Sequence, residues 1–109
     1  MKVIKRPRHS GKTTILLHAM VADDAAVMVC RTRAIAHGKW IMSQELGLKL
    51  HTDRFISLAH LPLKVQNERL FVDDFDYISR CHPRDADRLA RRVSVVTVSD
   101  HTSKGRRHE

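Results

Sequence analysis

The run Ala25-Ala26-Val27-Met28-Val29-Cys30 constrains the fold more than any other stretch, being apolar at every position and bounded by charge on both sides. A strand with one face in water alternates apolar and polar side chains. An unbroken apolar run of this length suits a strand buried on both faces. Such strands belong to parallel sheets covered by helices, and the rest of the chain offers strand and helix patterns in alternation. The sequence therefore predicts an α/β domain with a mostly parallel sheet of about five strands, flanked by helices and joined by right-handed crossovers.

The remaining elements come in order along the chain. Lys2–Lys5 reads as a short strand, and Thr13–Ala22 as a helix ended by Asp23-Asp24. Arg33–Leu46 carries Ile35, Trp40, Ile41 and Leu46 on one helical stripe, with Gly47 as its stop. Arg54–Leu58 is a third strand, Pro62 interrupts the segment after it, and Arg69–Asp74 is a strand that ends in acid. Pro83 opens a helix running through Val93, with Asp85 and Asp87 at its positive end. Ser94–Val98 is the last strand. At 109 residues there is room for one core, assigned to residues 1–103, with 104–109 a basic polar tail.

Gly11-Lys12-Thr13 stands where a short basic strand meets a helix. A glycine there lets the backbone turn its N–H groups inward. A lysine can reach β- and γ-phosphates, the next hydroxyl can ligate Mg²⁺, and the helix N-terminus adds partial positive charge. His9, Ser10, Gly11, Lys12, Thr13 and Thr14 are thus candidate phosphate-binding residues. The full G-x-x-x-x-G-K-[ST] pattern has glycine where this chain has Arg6. The plainer alternative is a polar turn with Ser10 or Thr13 as N-cap.

Leu70-Phe71-Val72-Asp73-Asp74 supplies the partner such a loop needs, a carboxylate carried out of the end of a strand beside the loop strand. Asp73 would sit across a Mg²⁺ ion from Thr13, and Asp74 could orient or deprotonate an attacking water. The same residues with Asp76 also suit a solvated acidic turn. At the end of the last strand Ser99, with Thr97 behind it, could touch the γ-phosphate or the water; an ordinary Ser-Asp turn is the alternative.

Composition narrows the partners. With 20 Lys and Arg against 12 Asp and Glu, the formal charge is +8 and favours a polyanion, nucleic acid first among them. The alternative is a basic surface that only keeps the chain soluble. Cys30 and Cys81 form no C-x-x-C pair, so neither a disulfide framework nor a zinc site is implied, and Cys30 reads as a buried free thiol. The eight histidines are scattered, without an i, i+4 pair. No signal peptide is evident, and no apolar run nears the ~18–20 residues that span a bilayer. The expectation is a cytoplasmic protein with no membrane partner.

With these residues assembled, the chain resembles a P-loop NTPase of the class with an extra strand between the loop strand and the acidic strand. Within that class it is most similar to the ATPase domain of phage terminase large subunits and to superfamily 2 helicases. Arg8-His9-Ser10-Gly11-Lys12-Thr13 follows the terminase form of the loop, and Val27–Ala34, with Thr32-Arg33-Ala34, is similar to the helicase segment that contacts a nucleic-acid backbone. The resemblance implies a single three-layer P-loop domain and ATP and Mg²⁺ as cofactors. DNA would be the partner more than RNA, and the setting a host cytoplasm if the chain is phage-encoded.

It further implies that Lys12 holds β/γ-phosphate, Thr13 and Asp73 hold Mg²⁺, and Arg8 stabilises charge on the γ-phosphate in cis. Arg31 and Arg33 would face DNA. Arg88, Arg91 and Arg92, at i, i+3 and i+4, could form one further polyanion patch. The family writes Asp-Glu where this chain has Asp73-Asp74, so the base reaches about one methylene less far. The second lobe of a helicase is not seen, which implies a homo-oligomer or larger complex that completes the nucleotide site.

The leading expectation is an Mg²⁺-dependent ATPase acting on or with DNA. The runner-up is a catalytically weak nucleotide- or nucleic-acid-binding module that regulates a larger complex. A small nucleotide kinase, with Arg84, Arg88, Arg91 and Arg92 imitating a lid, is third.

Overall fold

A computed structural model describes residues 2–7, 11–60 and 69–99. Among these, five strands form one parallel sheet in the order β1-β5-β4-β2-β3. They are β1 (Lys2–Arg6), β2 (Ala26–Cys30), β3 (Phe55–Ser57), β4 (Arg69–Val72) and β5 (Val93–Ser99). Four helices accompany them: α1 (Lys12–Val21), α2 (Arg33–Glu45), α3 (Phe75–Cys81) and α4 (Pro83–Ala90). Every strand pairing is parallel. The α/β class expected from the apolar run is the one observed.

β2 is buried at all five positions and packs on both faces. Val27 and Val29 join Leu70, Val72, Val93 and Val96 against Ile78 of α3 and Ala86 and Leu89 of α4. Ala26, Met28 and Cys30 join Phe55 and Phe71 against Leu16, Leu17 and Met20 of α1 and Ala36 of α2. The strand alternation that sends neighbouring residues to opposite faces thus makes three layers from one run. At about 1.5–3 kcal/mol for each fully buried side chain, Leu16, Leu17 and Met20 fix α1 more firmly than a cap worth about 1 kcal/mol. The N-terminus of α1 is therefore held in one place relative to the sheet.

Sheet order separates the loop strand from the acidic strand. β5 lies between β1 and β4, so the two are not direct neighbours. β1 is an edge strand, largely exposed, with Val3 51% accessible and Lys2, Lys5 and Arg6 in solvent. Charge along such an edge discourages pairing with a stray strand. β5 carries a bulge: Leu70 pairs with Val93 and Phe71 with Val95, so Ser94 is the extra residue.

Several element boundaries differ from the sequence reading. α4 ends at Ala90, and Val93, expected in the helix, opens β5 opposite Leu70. A β-branched side chain paired in the sheet and buried in the core outweighs another half-turn of helix. α3 was not anticipated; the acidic turn around Asp76 is instead its first turn. At the amino edge of the sheet, Arg54 donates to the carbonyls of Met20 (2.7 Å), Asp23 (2.6 Å) and Ala26 (3.0 Å). Arg69 grips both oxygens of Asp23 at 2.5 Å. Among the described residues, no helix is long and apolar enough to cross a membrane.

Candidate functional site

The carboxyl edge of the sheet gathers most of the described candidates. The chain leaves β2 towards the face covered by α1 and α2, and leaves its neighbour β4 towards the face covered by α3 and α4. In open α/β sheets, crevices form where successive connections diverge in this way.

Gly11 precedes α1 with φ 83°, a left-handed conformation that costs a residue with a Cβ but not glycine. It is the N-cap, so neither Ser10 nor Thr13 holds that position. The first turn of α1 contains no acidic side chain, and Lys12 and Thr13 open the helix at its positive end. Arg8, His9 and Ser10 lie outside the described residues. Thr14 follows in the first turn and is half-buried.

Thr13 and Asp73, sixty positions apart, meet at this edge: the Thr13 hydroxyl donates to Asp73 Oδ2. Asp73 is buried, 6% accessible. Its position follows from the alternation of β4, because Phe71 faces α1 and Asp73, two residues on, faces the same way. Thr97, completely buried on β5, donates to Asp73 Oδ1 and accepts from the Asp74 N–H at 2.8 Å. Thr97 thus serves the two acids, and the Ser99 side chain lies outside the described residues.

Asp74 is half-exposed, with Lys12 Nζ 3.6 Å from its Oδ1. Its backbone is left-handed, with φ 55°, and it caps α3. Burial, and then the neighbouring charge of Asp73, raise its pKa above the ordinary 3.8 despite Lys12 and Lys39 nearby. A carboxylate of raised pKa beside an ordered acid is suited to accept a proton.

Sequence reasoning missed Lys39. Its ammonium, on α2, lies 3.2 Å from Asp73 Oδ2 and 3.3 Å from Thr13 Oγ1. Lys39 falls three residues after Ala36 and four before Ser43, both buried, so it sits on the inward face of α2, whereas Ile41 and Leu46 of the expected stripe are exposed.

The threonine and carboxylate oxygens are of the kind that Mg²⁺ takes. As arranged they do not fit it: they are closed on each other with an ammonium over both.

A cavity of about 270 Å³ opens beside these groups, lined by Cys30, Arg31, Lys39, Asp73, Asp74 and Tyr77 among others. The Cys30 thiol is buried as expected, and burial pushes its pKa up to about 12, so it stays protonated. Arg31 lies over the Tyr77 ring at 4.9 Å, with Arg80 at 5.5 Å. Arg33 begins α2 nearby and is exposed.

The second arginine group is elsewhere. Arg88 is in the last turn of α4 and Arg91 is its C-cap, leading with Arg92 into the amino end of β5. These three lie at the opposite edge of the sheet from Arg31 and Arg33. Only Arg88 is helical, so the expected face of one helix is not formed. Scans of the chain against protein-family models, curated proteins and solved structures find no match.

Proposed function

We propose that this chain binds a nucleoside triphosphate, with ATP the expected one, at the carboxyl edge of its sheet, as a P-loop domain acting with DNA. The observation that carries the reading is the meeting of Thr13 with Asp73, alongside Lys12 and Asp74. Two sequence motifs that suit opposite sides of a polyphosphate converge on one helix N-terminus. The placement of β5 between β1 and β4 is in keeping with the additional-strand class, and the three-layer arrangement supports it.

In this reading Lys12 and the first-turn amides of α1 receive the phosphates. Asp74, half-exposed and of raised pKa, accepts the proton of an attacking water. Thr97 and Asp73 hold the backbone from which Asp74 projects. Arg31 and Arg33, at the same edge, are placed to meet a nucleic-acid backbone near the nucleotide. A homo-oligomer or larger assembly would cover the open side of the site. The weaker-catalyst reading, a binding module, is favoured by one observation: Lys39 already neutralises Asp73.

The test is ATP binding by titration calorimetry with the wild type and Lys12→Ala, followed by phosphate release with and without DNA. Binding that falls about tenfold or more in Lys12→Ala, the size of a lost charged hydrogen bond, supports the site. Equal affinity in both proteins removes the loop from consideration. Binding without turnover above background selects the module over the enzyme.

A further inference from the structure

The Lys39 contact is unusual for its place in the molecule. The ammonium sits over two oxygens that are hydrogen-bonded to each other, and the Asp73 side chain there is only 4% accessible. Thr13 sends its proton to Asp73 and takes a hydrogen bond from Lys39 in return. Lys39 therefore spans the same hydroxyl and carboxylate that a divalent ion would bridge. The ammonium donates to Thr13 and pairs with Asp73 by charge, and it lines the cavity that Asp74 and Arg31 share.

We propose that Lys39 is a tethered cation standing in for the divalent metal, so that triphosphate binds this chain with little need of Mg²⁺. The inference rests on the nucleotide reading above and specifies its cation. Lys12 and Lys39 face Asp73 and Asp74, so the cluster is balanced as it stands. A divalent ion on Thr13 and Asp73 would meet the ammonium at contact distance, and like charges beside a buried carboxylate repel strongly. Mg²⁺ and Lys39 thus exclude one another from these oxygens. From the cavity wall the same ammonium can be offered to a phosphate oxygen, as a metal would offer its charge.

The experiment measures ATP affinity of the full chain in excess Mg²⁺ and in EDTA, for the wild type, Lys39→Met and Lys39→Arg. Mn²⁺ binding without nucleotide, followed by electron paramagnetic resonance, gives a second readout. The wild type should change less than about threefold between the two conditions. Lys39→Met should lose about tenfold or more in EDTA and recover with Mg²⁺, and should bind Mn²⁺ more tightly than the wild type.

Lys39→Arg, which keeps the charge, should resemble the wild type. A wild type that binds ATP only with Mg²⁺ overturns the inference and leaves the nucleotide site intact. The same holds if Lys39→Met gains no Mn²⁺. Should Lys39→Met fail to fold, the wild-type comparison still decides. Absence of ATP binding in both conditions removes the nucleotide reading and this inference with it.

Discussion

Thr97 and Asp73 stand abreast at the carboxyl ends of adjacent parallel strands, joined by a hydrogen bond from the hydroxyl to the carboxylate. The same hydroxyl accepts the Asp74 N–H, so one buried side chain fixes both acids. Its removal leaves a carboxylate oxygen and a backbone donor without this partner.

Thr97→Val should therefore destabilise the chain by about 1–3 kcal/mol, the range for stranding buried polar groups. Thr97→Ser, which keeps the hydroxyl, should recover most of the loss. Urea unfolding of the three proteins measures this; equal midpoints for valine and serine would mean the hydroxyl holds nothing.

Asp74 is expected to act against stability. Its folded-state pKa is raised above 3.8, first by burial and then by Asp73. The unfolded chain therefore gives up this proton first as pH rises, and stability falls between 3.8 and the raised value. Asp74→Asn should remove that loss while tolerating the left-handed backbone. The gain at neutral pH is at most about 1 kcal/mol, because solvent screens a half-exposed carboxylate. Scanning calorimetry should show a Tm higher by no more than roughly 4–8 °C, and an unchanged or lower Tm would contradict the assignment.

At the other edge of the sheet the sign reverses. The hydrogen bond from Arg69 holds the Asp23 carboxyl below its ordinary 3.8. Its contribution is complete above that value and is lost as pH falls through the depressed folded-state pKa. Arg69→Met should flatten this acid limb in unfolding curves taken from neutral pH downward. A limb of the same depth in both proteins would place its origin in another carboxylate.

The two arginine groups should behave differently towards DNA. Arg31→Gln with Arg33→Gln should weaken duplex binding and reduce the salt slope by about 0.9 for each phosphate no longer neutralised. Arg91→Gln with Arg92→Gln, at the far edge, should leave both nearly unchanged. Fluorescence anisotropy across a salt series reads the two slopes, and the reverse pattern would move the interface to the amino edge.

Local signals carried much of this architecture. The apolar run at Ala25–Cys30 predicted a strand covered on both sides, and β2 packs against both helical layers. Gly11 and Asp73 were each visible as the end of an element because backbone conformation and strand alternation act over a few residues. Lys39 was not, because the small residues Ala36 and Ser43 that mark its face of α2 give a weak pattern beside Ile41 and Leu46, which are exposed. A lysine on an inward helix face needs a carboxylate from another element, and only the sheet order brings Asp73 there. Helix α3 was hidden for a related reason: its seven residues are too few to declare a period, and burial of Ile78 against the sheet secures it.

The additional residue at Ser94 governs the site from a distance. Val93 and Val96 both point towards α3 and α4, which strict alternation over three positions forbids. That slip in phase is what turns Thr97 to the side of the sheet where Asp73 lies. Drawn into regular alternation, Ser94 would push Thr97 round to the layer of α3 and α4; held out as a bulge it leaves that hydroxyl level with Asp73, so the irregular strand is the one that lets a single side chain reach both acids of its neighbour.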